Sequence, residues 1–112
     1  MLFRSKANEL IVGKTIVLDE WNHIVVTYMP TLVSAYLNGE LVGTMIPVGN
    51  VVENNEPLYI GYDPPGGVEY LTGDMDEVRI YNRCLSASEV RALANGDSPV
   101  AIRIGEDAWV YR

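Results

Sequence analysis

The dipeptide Asn38-Gly39 constrains this chain more than any other feature. It sits between Val33–Leu37 and Glu40–Ile46, two runs of strand-forming residues. Asn-Gly best tolerates the positive φ angles that both central positions of a type I′ turn demand. The segment is therefore expected to be a two-residue β-hairpin pairing Leu37 with Glu40, Tyr36 with Leu41 and Ala35 with Val42. That register gives Val33, Ala35, Leu37 and Val42 one shared face, the expected core face. Tyr36 and Leu41 share the other.

The rest of the chain repeats the theme of short strands between turn residues. Leu10 to Leu18 is rich in Ile, Val and Thr, with Gly13-Lys14 as a turn or bulge. Trp21 to Tyr28 is dense in β-branched and aromatic residues, and Met29-Pro30-Thr31 ends it because proline cannot donate to a ladder. Leu58 to Tyr62 reads as a short strand stopped by Asp63-Pro64-Pro65-Gly66-Gly67. Met75 to Tyr81 alternates as a half-buried strand should. One helix is expected near residues 86–95. Ser86-Ala87-Ser88-Glu89 has the form of a capping box, Val90, Leu93 and Ala94 follow at helical spacing, and Gly96 suits the left-handed position after the last turn. Residues 96–112 read as a C-terminal hairpin, either a strand extension of the same body or an arm exchanged between two chains. Strands at this spacing with one helix define an all-β sandwich or barrel.

Bulk properties narrow the function classes. A chain of 112 residues makes a single domain spanning 1–112. The net charge of −7 repels phosphate, which argues against nucleic acid and anionic membranes as partners. No uncharged apolar run approaches the ~20 residues of a membrane span, so membrane insertion is not expected. The single cysteine, Cys84, leaves no internal disulfide. The N-terminal MLFRSKANEL lacks the apolar stretch of a signal peptide.

Four ordered segments resemble the laminin-G-like group of the concanavalin A-like lectin/glucanase superfamily. They are Glu20–Tyr28 (EWNHIVVTY), Ala35–Val42 (AYLNGELV), Pro57–Gly61 (PLYIG) and Leu71–Ser86 (LTGDMDEVRIYNRCLS). Together they cover roughly residues 16 to 95, the C-terminal part of the family pattern, with a more distant similarity to pentraxins. The resemblance implies a concanavalin A-like jelly-roll β-sandwich abbreviated at its N-terminus. It also implies an extracellular or cell-surface setting. Cys84 stands where the family has a small residue, and burial is the expected reason.

Catalysis is not expected. Glycan-cleaving enzymes on this fold carry paired carboxylates on one strand face, flanking the scissile bond. In Asp74-Met75-Asp76-Glu77 the strand alternation puts Glu77 opposite to Asp74 and Asp76. His23 has no Ser or Cys at triad spacing and reads as a hydrogen-bonded structural residue. Calcium takes six to eight oxygens, commonly from loops. The resemblance makes Asp63 and Glu69 the candidate ligands in the loop after the PLYIG strand, and Asp76 a candidate of the GDMDE motif. Trp21, Tyr28, Tyr59 and Tyr81 match family core positions. Tyr36, Tyr62 and Tyr70 are the tyrosines expected to be exposed, and hence the candidate ligand contacts. The function implied is a non-catalytic recognition domain that binds carbohydrate or a protein partner, with calcium as the one candidate cofactor. The alternative is a structural module without a ligand that assembles with its own copy. A homodimer is expected, because the Gly73–Asn82 strand would lack its usual N-terminal neighbours.

Overall fold

The computed structural model describes residues 2–5, 8–11, 16–51, 53–63 and 69–96. Seven strands and one helix lie among them. A first hairpin pairs β1 (Leu2–Ser5) with β2 (Asn8–Ile11). These are the abbreviated opening strands, and β2 runs close to β5. The main sheet has the order β3-β4-β5, with β3 Ile24–Met29, β4 Leu32–Leu37 and β5 Glu40–Met45, all antiparallel. A third ladder joins β6 (Tyr62–Asp63) to β7 (Glu69–Tyr70), and α1 (Ala87–Ala94) follows. No described helix is long and apolar enough to cross a membrane.

The Asn-Gly turn forms as its chemistry demands, with Asn38 at φ 52° and Gly39 at φ 81°. Leu37 pairs with Glu40 and Tyr36 with Leu41, but Ala35 then pairs with Gly43 rather than Val42. Val42 is the extra residue of a β-bulge, which re-aims the strand beyond it. Val42 still packs against Ala35, together with Val33 and Met45. Asn38 also ties the turn to β3. Its backbone N–H donates to the His23 carbonyl at 2.8 Å, and its Oδ1 accepts from the His23 N–H at 2.8 Å.

Strand β4 is central, and it is buried on both faces. Ala35 and its neighbours fill one side. On the other side Tyr36 packs with Leu85 and Val90, and Val25, Tyr81 and Leu93 close the cluster. Helix α1 presents Val90 and Leu93 to that side, and Val90 is wholly buried.

The helix begins as its sequence dictates. Ser86 Oγ accepts from the Glu89 N–H at 3.2 Å, and the Glu89 carboxylate accepts from the Ser86 N–H at 2.7 Å. Arg83 grips the same carboxylate through both terminal nitrogens, at 2.8 and 2.9 Å. Asn95 caps the C-terminus, and Gly96 takes the left-handed conformation at φ 76°. Ser86→Ala should cost about 1 kcal/mol, the worth of one capping side chain. Urea denaturation should show a lower midpoint at unchanged slope.

Several expected strands do not form as read. Leu58–Gly61 is not in a ladder, and pairing starts only at Tyr62. Ile16–Leu18 is likewise outside any strand. Met75–Ile80 has alternating residues but no ladder, and Tyr81 makes an isolated bridge. The physical cause is local: Glu77 sits at φ 54°, its N–H held by the Asp76 carboxylate at 2.8 Å, and a positive φ breaks an extended run. The Gly73–Asn82 edge on which the homodimer expectation rested is therefore not a strand edge. Cys84 is exposed, so burial does not account for it. The expected hairpin within residues 96–112 lies outside the described residues, as Gly96 alone of them is described.

Candidate functional site

Two of the three candidate tyrosines meet. Tyr62 and Tyr70 are directly opposite in the β6–β7 ladder, so their side chains share a face. Their rings stack with centroids 4.7 Å apart and planes 17° from parallel. Tyr59 joins edge-on to Tyr62, at 5.8 Å and 79°. Gly61 lets the chain turn between them. Its φ of 75° favours glycine, and its carbonyl accepts from the Leu71 N–H at 2.9 Å, closing the ladder from the other side. The result is a three-ring ledge in which Tyr70 is 66% exposed and Tyr59 46%.

Tyr36 does not belong to this ledge. It is only 8% exposed and lies in the cluster with Leu85 and Val90, so the exposure expected for it is not observed. It does line a shallow cleft of ≈ 280 Å³ with Asn38, Gly39, Glu40, Leu41, Ala87 and Arg91. That is below the ~300–1,000 Å³ of a small-molecule pocket. Among the aromatics expected to pack, Tyr81 does so, but Trp21 is 71% exposed, and Tyr28 and Tyr59 are exposed as well. These positions become core only where a second layer lies over them, because the described part of the main sheet is covered chiefly around β4. Tyr59 is the ledge residue that was not expected from the sequence. Its signal was its three-residue offset from Tyr62, across a glycine.

The acidic candidates fall in two places. Asp63 and Glu69 are Cα partners in the β6–β7 ladder, one position beyond the tyrosine pair. Their side chains lie outside the described residues. Asp76 is exposed, and its carboxylate holds the Glu77 amide. Among the described residues no group of three His, Cys, Asp or Glu side chains converges. Asp74, Asp76 and Glu77 do not occupy a regular strand, so no strand face arrays them as a glycosidase pair.

His23 acts through its backbone, which brackets Asn38 as described. Its imidazole Nδ1 is buried with no partner among the described residues, as are Arg79 Nε and Tyr81 Oη. Burial lowers the His23 pKa below 6.5, and the nearby Arg79 charge lowers it further. The Glu89 carboxyl is held down to about 2, first by Arg83 and then by the Ser86 amide. Both shifts act in the same direction. Between its folded and ordinary values each group binds more protons when the chain is unfolded, so stability falls as pH falls. His23 makes its loss below pH 6.5, and Glu89 makes its loss from pH 4.5 down to about 2. Thermal melts should fall steadily over that range, and Glu89→Gln should flatten only the segment below pH 4.5. Parallel curves for the two proteins would contradict the Glu89 assignment.

The residues thus build a sandwich-type antiparallel sheet and, beside it, an exposed aromatic ledge. The sequence pattern of the concanavalin A-like lectin/glucanases superfamily, in its laminin-G form, matches residues 3–91, and the chain belongs to that superfamily. It is similar to the adhesion G-protein coupled receptor V1 of Danio rerio, 31% identical over 86 residues, which are 74% of this chain and 1% of the receptor. It is also similar to a crystal structure of an S-layer domain-containing protein (residues 221–444) from Clostridium thermocellum ATCC 27405. There the TM-score is 0.65 at 30% identity, over 74% of this chain and 43% of that one. The chain thus spans a small part of the receptor and under half of the solved domain.

Proposed function

We propose that the chain is a non-catalytic recognition domain that binds a carbohydrate or a protein partner at a cell surface, with the Tyr59–Tyr62–Tyr70 ledge as its contact. The carrying observation is the ledge itself: Tyr59 and Tyr70 each pack against the Tyr62 ring, and Tyr70 is two-thirds exposed. Tyrosine offers a flat apolar face with a polar rim, the chemistry that matches the C–H face and hydroxyl edge of a sugar ring. Holding Tyr70 against Tyr62 also reduces the ordering cost of binding. The similarity to an adhesion receptor and to an S-layer domain-containing protein supports a surface setting.

Calcium fits this reading through Asp63 and Glu69, with Asp76 as a further candidate. Like charges directly opposite in a ladder are destabilising, and a divalent cation would offset that cost. A glycan array run with calcium and with chelator tests both parts. Binding that calcium strengthens, with a matching rise in melting temperature, supports the cation role. Identical binding and melting in both buffers removes calcium while leaving the ledge. A second reading, in which the chain is a structural module whose main contact is its own copy in a homodimer, is favoured by the exposed apolar residues of β3.

A further inference from the structure

We infer that β3 is a self-pairing edge, and that two copies of this chain join antiparallel along it about a two-fold axis through Val26. The inference is independent of the tyrosine ledge and rests on the phase of the main-sheet hydrogen bonds. Asn38 donates to the His23 carbonyl, which makes His23 and Asn38 a hydrogen-bonded pair. Such pairs alternate along an antiparallel ladder. The register then assigns Val25–Tyr36, Thr27–Ser34 and Met29–Leu32 to the hydrogen-bonded class. Ile24, Val26 and Tyr28 consequently aim their N–H and C=O groups away from β4. Among the described residues no strand lies on that side, because β3 ends the sheet order. The same three residues are apolar and 42%, 44% and 41% exposed.

Natural edge strands are usually guarded by charge, proline, a bulge or shortness. The six residues of β3, IVVTYM, carry no charge, proline or bulge. The occupant is constrained by charge as well. At net −7 two copies repel over most of their surface, and an uncharged strand is where they can approach.

Self-pairing also has a specific register. A two-fold axis normal to the sheet keeps each face on its own side, so opposed residues must have an even sum of positions. Centring on Val26 places it opposite its own copy and Ile24 opposite the partner's Tyr28. Every outward N–H and C=O of β3 then finds its match. The Ile24–Tyr28 contacts are aromatic–aliphatic cross-strand pairs, a stabilising combination. Sliding by one repeat toward the turn would set Val26 against Tyr28 and Ile24 against Pro30, which has no N–H to give. Sliding the other way would set Tyr28 against Asn22, outside the strand.

The test is the mass of the intact chain in solution, by light scattering across a concentration series. The expected result is twice the chain mass at tens of micromolar. Val26→Pro should give a monomer with an unchanged far-ultraviolet spectrum, because the N–H it removes points away from β4. Val26→Lys keeps that N–H but puts two like charges at the axis, and should also give a monomer. Tyr70→Ala should remain dimeric, which separates this edge from the ligand ledge. A wild-type monomer at every concentration, or a dimer that survives both Val26 substitutions, overturns the inference.

Discussion

Gly39→Val should strongly destabilise the domain, with an expected loss of about 2–6 kcal/mol. Two costs add at this position. The φ of 81° is one that a β-branched residue resists, and the strain is on the order of 1–3 kcal/mol. The turn is also pressed against α1. A Cβ at Gly39 would lie 3.1 Å from Ala94 Cβ and 3.3 Å from Arg91 Cα, and the latter is backbone that cannot swing aside. Overpacking of that kind typically costs about 1–3 kcal/mol. A domain of this size has on the order of 5–15 kcal/mol in all. Urea denaturation measures the loss, with Gly39→Ala falling between wild type and Val. A Val variant as stable as wild type would mean that the turn does not pack on the helix.

Tyr36→Ala should cost about 3–5 kcal/mol, the usual range for removing a large aromatic from a core. Its ring holds Leu85 and Val90 against the sheet, so its loss leaves a cavity under α1. This variant distinguishes a core residue from a ligand contact. A core role lowers the melting temperature sharply. A contact role would leave it near wild type while weakening binding. The contrast with Tyr70 is direct, because Tyr70 is mostly exposed and its removal should barely change stability.

Local chemistry was legible wherever one or two residues decide the backbone. Asn38-Gly39 fixed the turn and its first two pairs. Ser86, Glu89 and Gly96 marked the helix at both ends. What depends on a second layer was not legible. Alternation along Val33–Leu37 suggests one buried face, yet α1 covers the other face too, and that is why Tyr36 is buried. The near-continuous run Val33-Ser34-Ala35-Tyr36-Leu37 was the available hint, since strands buried on both faces lose their alternation. The bulge at Val42 and the left-handed Glu77 left no comparable mark. Glu77 turns on an Asp76 side chain competing for the backbone, which periodicity does not register. For the tyrosine ledge, the sequence indicates exposure of Tyr62 and Tyr70 but not their contact. Their stacking follows from the Tyr62–Tyr70 pairing of a ladder only two residues long on each side.

A recognition domain of this kind must bind through its tyrosine ledge. The direct measurement is calorimetric titration of the strongest glycan from an array against wild type, Tyr70→Phe and Tyr70→Ala. Removing a stacked ring should weaken binding by about tenfold or more, the equivalent of an aromatic contact of about 1.4 kcal/mol. Tyr70→Phe keeps the ring face and should stay close to wild type. Equal affinity for wild type and Tyr70→Ala, with both folded, would contradict the ledge as the binding site.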